Sequence, residues 1–404
     1  VEKLVEKSRI KAVIRQYLFW YVHLVMMGST IEPRTLMMAA LVLLAASLHP
    51  ACRAGCGNPL KGSEKNGGVC ARASEIYRID AHAHVRHEAV DRTIELMDAW
   101  GIRTMVNVSG GSYEKVQDSA DVVKLTGGRI LFFCNIDFDD WGTDSFARTA
   151  TSSLERCHGM GGLGLKIFKG LGLGLEYEDG TLAPVDDPIF DPIFEKAGEL
   201  GMPVLIHSGD PKAFFEPPTE DNERWEELKD HPNWSFYGDE YPSWEEIYGQ
   251  FENRVGRHPE VTFLGAHFGN NPEDPERVFK MMEDHPNFYA DTAARVPEIG
   301  RFDAARMKKL MIKYQDRVLF GTDLQISKKY LVLGSGPPYK PTQKQIDRFF
   351  KATWRYFETE DGQFDNPTPI QGKWRIDGIG LPCDVLEKVY HGNVEKMLDL
   401  EGGG

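Results

Sequence analysis

From position 76 onward, short apolar runs alternate with longer stretches whose apolar residues recur at helical spacing. Eight runs read as buried strands: 76–84, 103–108, 129–136, 163–168, 203–207, 261–267, 287–291 and 317–322. Between most of them lie amphipathic segments, such as 90–100 and 189–200, that predict helices. Gly101, Gly201 and the His-Pro pairs at His258 and His285 stand where helices should end before the next strand. Strand and helix in alternation predict parallel βαβ units. Eight repeats over about 325 residues predict an α/β fold, a (β/α)8 TIM barrel, with long insertions after strands five and eight. A doubly wound open sheet would show a Gly-rich phosphate turn after its first strand, and this chain has none there.

The first run ends in Asp80-Ala81-His82-Ala83-His84. In an extended strand successive side chains alternate faces, so Asp80, His82 and His84 are expected on one face. Ile79, Ala81 and Ala83 would then pack beneath the helices. On a helix the two histidines would lie roughly 200° apart and could not share an ion. Two imidazoles on one face form a half-site for Zn²⁺ or a similar metal. Three more residues of ligand type fall at predicted strand ends: His207 closes the fifth run, His267 the sixth, and Asp323 follows the eighth. Barrels of this architecture carry their chemistry at those ends. Singly, each could be a capping or core residue; as a set they predict a metal site.

Composition narrows the partners. A net charge of −14 argues against nucleic acid and anionic membranes, both of which need a cationic surface. The six cysteines form no Cys-x-x-Cys pair, so they are not the metal site. Residues 1–75 differ from the rest, 1–53 reading as a leader. The apolar run 36–48, preceded by Arg34 and followed by small residues, has the order of a secretory signal peptide and predicts export. Ala54-Gly55-Cys56 resembles the end of a lipoprotein signal, which would add a lipid anchor at Cys56. Residues 1–35 sit awkwardly ahead of that signal and read as an over-extended reading frame; 54–75 read as a tether to a barrel spanning 76–400.

Several motifs of the body resemble the amidohydrolase superfamily, in its amidohydrolase-related branch that includes aminocarboxymuconate-semialdehyde decarboxylase. Asp80–His84 is similar to its first-strand motif, and Val204-Leu205-Ile206-His207 to its fifth-strand histidine. Gly265-Ala266-His267-Phe268-Gly269 is similar to its sixth-strand histidine, Phe320-Gly321-Thr322-Asp323 to its eighth-strand aspartate, and His391-Gly392-Asn393 to its closing helix start. The resemblance implies that His82, His84, His207 and Asp323 hold one divalent ion. Asp323 would also serve as base, and His267 would be an acid/base that polarises the substrate carbonyl. Lys166 lies on the fourth strand, where some relatives carry a carbamylated lysine bridging two metals; an ion-paired lysine is the alternative.

Three imidazoles and a carboxylate suit Zn²⁺, with Mn²⁺ the other choice. The expected activity is hydrolysis of an amide, ester or lactone in a small molecule by a metal-activated water. Decarboxylation at the same site is the alternative, and a non-catalytic exported binding barrel the second. The insertion after His207 is acidic and aromatic, and it predicts a loop that shapes the pocket. Arg224 within it, and Arg295 past the seventh strand, are candidate clamps for a substrate carboxylate. A homo-oligomer is compatible with this reading.

Overall fold

The computed structural model describes residues 68–209, 211–336 and 339–400; the predicted leader and the tether up to residue 67 lie outside them. All eight predicted runs form strands. They are β1 (Arg78–Val85), β2 (Ile102–Asn107), β3 (Ile130–Phe132) with β4 (Cys134–Asn135), β5 (Leu165–Ile167), β6 (Val204–Ile206), β7 (Phe263–Gly265), β8 (Phe288–Asp291), and β9 (Val318–Leu319) with β10 (Leu324–Ile326). The third and eighth runs are each broken by a kink, and each piece pairs with a different neighbour.

Parallel pairing runs from β1 through β2 to β3, and from β4 through β5, β6, β7 and β8 to β9. Phe133 bridges the first break, its N–H donating to Asn107 at 3.0 Å. At the second break, Ala81 N–H donates to Phe320 O at 2.9 Å and Asp323 N–H to His82 O at 2.8 Å, while β10 pairs in parallel with β1. The hydrogen-bonded order therefore returns to β1, giving the (β/α)8 barrel the spacing predicts.

β1 departs from simple alternation. Its register with β2 slips between Asp80 and Ala83. Such a bulge changes which face successive residues meet. Ile79 and Ala81 accordingly pack in the inner cluster with Val106, Leu205, Leu264 and Leu319, whereas Ala83 and Val85 pack outward with Met97 and Met105. The expectation that Ile79, Ala81 and Ala83 all lie under helices is corrected for the first two. Val394 and Leu398, from the end of the described chain, join the same inner cluster.

The connecting helices follow their predicted patterns. Helix α1 (Val90–Trp100) stops at Gly101, whose φ of +69° is the left-handed conformation that glycine adopts at least cost. Helices α2 (Lys115–Leu125), α3 (Phe146–Gly159) and α4 (Asp191–Glu199) follow β2, β4 and β5. Helix α5 (Trp244–Arg257) begins with a capping box, in which Ser243 and Glu246 each satisfy the other's backbone N–H. It ends the aromatic insertion after β6. Two disulfides tie the body together: Cys70–Cys383 joins its two ends, and Cys134–Cys157 joins β4 to α3. Among the described residues no helix is long and apolar enough to cross a membrane.

Candidate metal centre

His82, His84 and Asp323 converge where β1 meets the kinked eighth strand. One ligand atom from each lies within 4.8 Å of the others, the one such group among the described residues. His84 Nε2 is 3.2 Å and His82 Nε2 3.6 Å from Asp323 Oδ1. The other nitrogen of each ring is already engaged. His82 Nδ1 donates to Asp291 Oδ2 at 2.9 Å, and His84 Nδ1 lies 2.6 Å from Ser109 Oγ. A carboxylate facing Nδ1 fixes the tautomer that leaves Nε2 as a lone pair. His82 Nε2 is buried and has no hydrogen-bond partner. A buried acceptor aimed at a second imidazole and a carboxylate fits a divalent cation, and three protein ligands leave the open position typical of catalytic zinc.

The backbone is bent to make this arrangement. Asp323 has a φ of +58° and His267 one of +54°, left-handed values that strain non-glycine residues. Gly321 makes room: a Cβ there would sit 3.1 Å from His82 Cβ and 3.2 Å from Ala293 Cβ, pressing on the histidine. Burial alone would raise the Asp323 carboxyl, but the hydrogen bond from His84 and the nearby charges of His82, His84 and Arg295 bring it below the usual carboxylate range. Burial lowers His84, with Asp323 opposing.

Asp80 does not join the cluster, contrary to the one-face expectation. Its carboxylate accepts from Thr322 N–H at 3.0 Å, Thr322 Oγ1–H at 2.5 Å and His82 N–H at 3.1 Å, bracing the bulge against the eighth strand. Burial pushes its carboxyl up to about 7 despite those bonds. His207 falls outside the three-residue group as well. It lines the adjoining cavity, its ring edge-on to His267 with centroids 4.3 Å apart.

His267 is buried, and its Nδ1 faces Ala293 O at 2.9 Å. A carbonyl can only accept, so Nδ1 carries the proton and Nε2 is an acceptor. Burial first, then the neighbouring His207 and Arg295, hold the imidazole well below its ordinary value. Of the acid/base role expected for His267, this neutral tautomer supplies the base: it offers a lone pair at Nε2.

Asp291 is the residue that the sequence reading missed. Beyond holding His82, its Oδ1 accepts from His267 N–H at 2.9 Å and Ala293 N–H at 3.0 Å. The signal was available, since Asp291 ends the seventh run just as His207 and His267 end theirs. Lys166 is buried on β5, close enough that its charge helps lower His84 and His267.

The two expected clamps are placed otherwise. Arg224 is fully buried, its two terminal nitrogens bound to Glu227 (2.8 Å) and Glu298. It pins the aromatic insertion to the segment after β8. Arg295 is buried with Nη1 donating to Ala294 O at 2.8 Å. Neither lines the cavity above the cluster; the clamp role is corrected for Arg224, which two buried glutamates occupy, while the charge of Arg295 acts on Asp323 and His267. That cavity, of about 330 Å³, is walled instead by Arg86, Ser109, Phe168, His207, His267 and Tyr330, among others. Phe168 is 43% exposed and stacks 6.2 Å from His84.

An amidohydrolase family model matches residues 79–400. None of the curated proteins matches the chain. Among solved structures, the chain is similar to an uncharacterized TIM-barrel protein from Bordetella bronchiseptica, at 15% identity over 81% of this chain and 99% of that one, with a TM-score of 0.47. It is also similar to 4-oxalomesaconate hydratase from Rhodopseudomonas palustris, at 17% identity over 80% and 97%, with a TM-score of 0.48. An amidohydrolase 2 from Bifidobacterium longum subsp. infantis aligns at 12% identity over 80% and 99%, with a TM-score of 0.42.

Proposed function

This chain belongs to the amidohydrolase family, and from that premise we propose that it is a metal-dependent hydrolase that cleaves an amide, ester or lactone in a small molecule. The observation that carries the reading is the orientation of the two histidines. Their outer nitrogens are held by Asp291 and Ser109, and their inner nitrogens converge on Asp323. His82, His84 and Asp323 would hold one divalent ion, with Zn²⁺ the first choice for this donor set and Mn²⁺ the second. Bound there, such an ion supplies Lewis acidity, polarising a carbonyl and acidifying water so that hydrolysis runs near neutral pH.

The chain's own residues do the rest. Asp323, held charged by its histidine neighbours, accepts the proton of the attacking water and returns it to the leaving group. His267 offers its Nε2 lone pair to a hydrogen-bond donor, either that water or an N–H or O–H of the substrate. Phe168 gives the substrate an apolar face beside His84. The cavity volume, about 330 Å³, suits a small molecule. Export to an oxidising compartment is part of the proposal, supported by the pairing of Cys70 with Cys383 and Cys134 with Cys157.

A panel of lactones, N-acyl compounds and aromatic carboxylates tests the reaction class. Release of acid or amine without CO₂ is the expected outcome, abolished in Asp323→Asn. Evolution of CO₂ would replace hydrolysis with decarboxylation.

A further inference from the structure

A second cavity, of about 320 Å³, lies beside the first, and Val85, Arg86 and Ser109 line both. Ser109 faces His84 Nδ1 at 2.6 Å, so the dividing wall is tied directly to the candidate metal centre. The far side of the second cavity is formed by Gly110, Gly111 and the start of α2, where Lys115 sits.

Two features set this cavity apart. Arg86 and Lys115 are exposed and make no ion pair among the described residues, although the chain carries a net charge of −14. The acid in the same wall, Asp118, faces His87 at 3.8 Å. Gly111, with φ of +93°, lets the loop close onto α2: a Cβ there would lie 2.7 Å from Lys115 Cβ and displace it. The loop thus accommodates the lysine at the cavity rim. A protein with an overall negative field repels anionic ligands, so two cations lining one cleft favour an anion there.

We infer that the second cavity is an anion subsite, in which Arg86 and Lys115 bind a carboxylate or phosphate at one end of the substrate while its other end reaches His82, His84 and Asp323. A guanidinium grips either group with two parallel hydrogen bonds, and the ammonium adds a point charge. The events at the cluster rest on the hydrolase reading; the anion subsite does not require turnover and is tested without it.

The test is calorimetric titration of the full chain with glutarate, inorganic phosphate and the neutral analogue glutaramide. The parent protein binds at least one anion and not glutaramide; the preferred anion distinguishes carboxylate from phosphate. The Arg86→Gln/Lys115→Gln double variant binds it at least about tenfold more weakly, as expected for losing charge-assisted bonds, with unchanged metal content and melting temperature. Arg86→Lys, which keeps the charge, retains part of the affinity. Absence of anion binding by the parent would overturn the inference. So would equal affinity in the double variant, or binding lost only in His84→Ala, which would place the anion on the metal centre. Failure of the hydrolase reading would show in metal content and turnover, not in these isotherms.

Discussion

Asp291 Oδ2 lies 2.9 Å from His82 Nδ1, with both side chains fully buried. A carboxylate on the outer nitrogen of a ligand histidine orients the ring and raises its basicity, and losing it typically weakens metal binding by about 10–100-fold. Asp291→Asn is therefore expected to lower affinity for Zn²⁺ by about that factor, while Asp291→Ala, which also frees the His267 N–H, should do more. Competition against a chromophoric chelator reads the change. Parent-like affinity in both variants would remove Asp291 from the site.

Arg224 is predicted to matter for stability rather than for substrate. Removing one partner of a fully buried ion pair leaves an uncompensated charge and costs about 3–5 kcal/mol. Arg224→Met should lower the free energy of unfolding by an amount in that range in urea titration. In the fraction that folds, KM should be unchanged. A variant with normal stability and a raised KM would restore the clamp.

The Cys70–Cys383 bridge spans a sequence separation of 313 residues. Closing a loop of that length restricts the unfolded chain, and loss of a native bridge costs about 2–5 kcal/mol. The double variant Cys70→Ala/Cys383→Ala should show this as a lower urea midpoint, and reductant, which also opens Cys134–Cys157, should cost the parent protein at least as much. A shift well under 1 kcal/mol would show that the bridge adds little.

One acid-sensitive contact involves none of the three residues of the metal centre. Burial would raise the Asp191 carboxyl, but its hydrogen bonds and charge interactions with Arg254 and Arg257 hold it below the usual range. A carboxyl depressed in the folded state contributes stability above its unfolded value, near 3.9, and loses it as pH falls through the folded value. Asp191→Asn should therefore destabilise the protein at pH 7 and progressively less below about pH 4. A deficit independent of pH would argue for a packing defect.

The barrel was legible because buried parallel strands read as apolar runs, and because Gly101 and Gly201 mark helix ends in plain sequence. The convergence of His82 and His84 was legible from His-x-His on a strand. The slip in β1 was not: Asp80-Ala81-His82-Ala83-His84 keeps a clean alternation, and only pairing with β2 and the hydrogen bonds to Thr322 show that Asp80 serves the backbone instead. Arg224 misled for a related reason. Glu227 stands three residues on, but the other partner, Glu298, is 74 residues away, and nothing local announces that the pair is fully buried. His207 stands at the predicted strand end, yet its ring meets His267 rather than the three-residue cluster.

Metal analysis of the purified full chain tests the central claim most directly. The parent should carry about one equivalent of zinc or manganese, as expected for a single catalytic site, and folded His82→Ala and His84→Ala variants should carry almost none. A metal-free parent, or variants that keep the parent's stoichiometry, would contradict the assignment of His82, His84 and Asp323 as a metal centre.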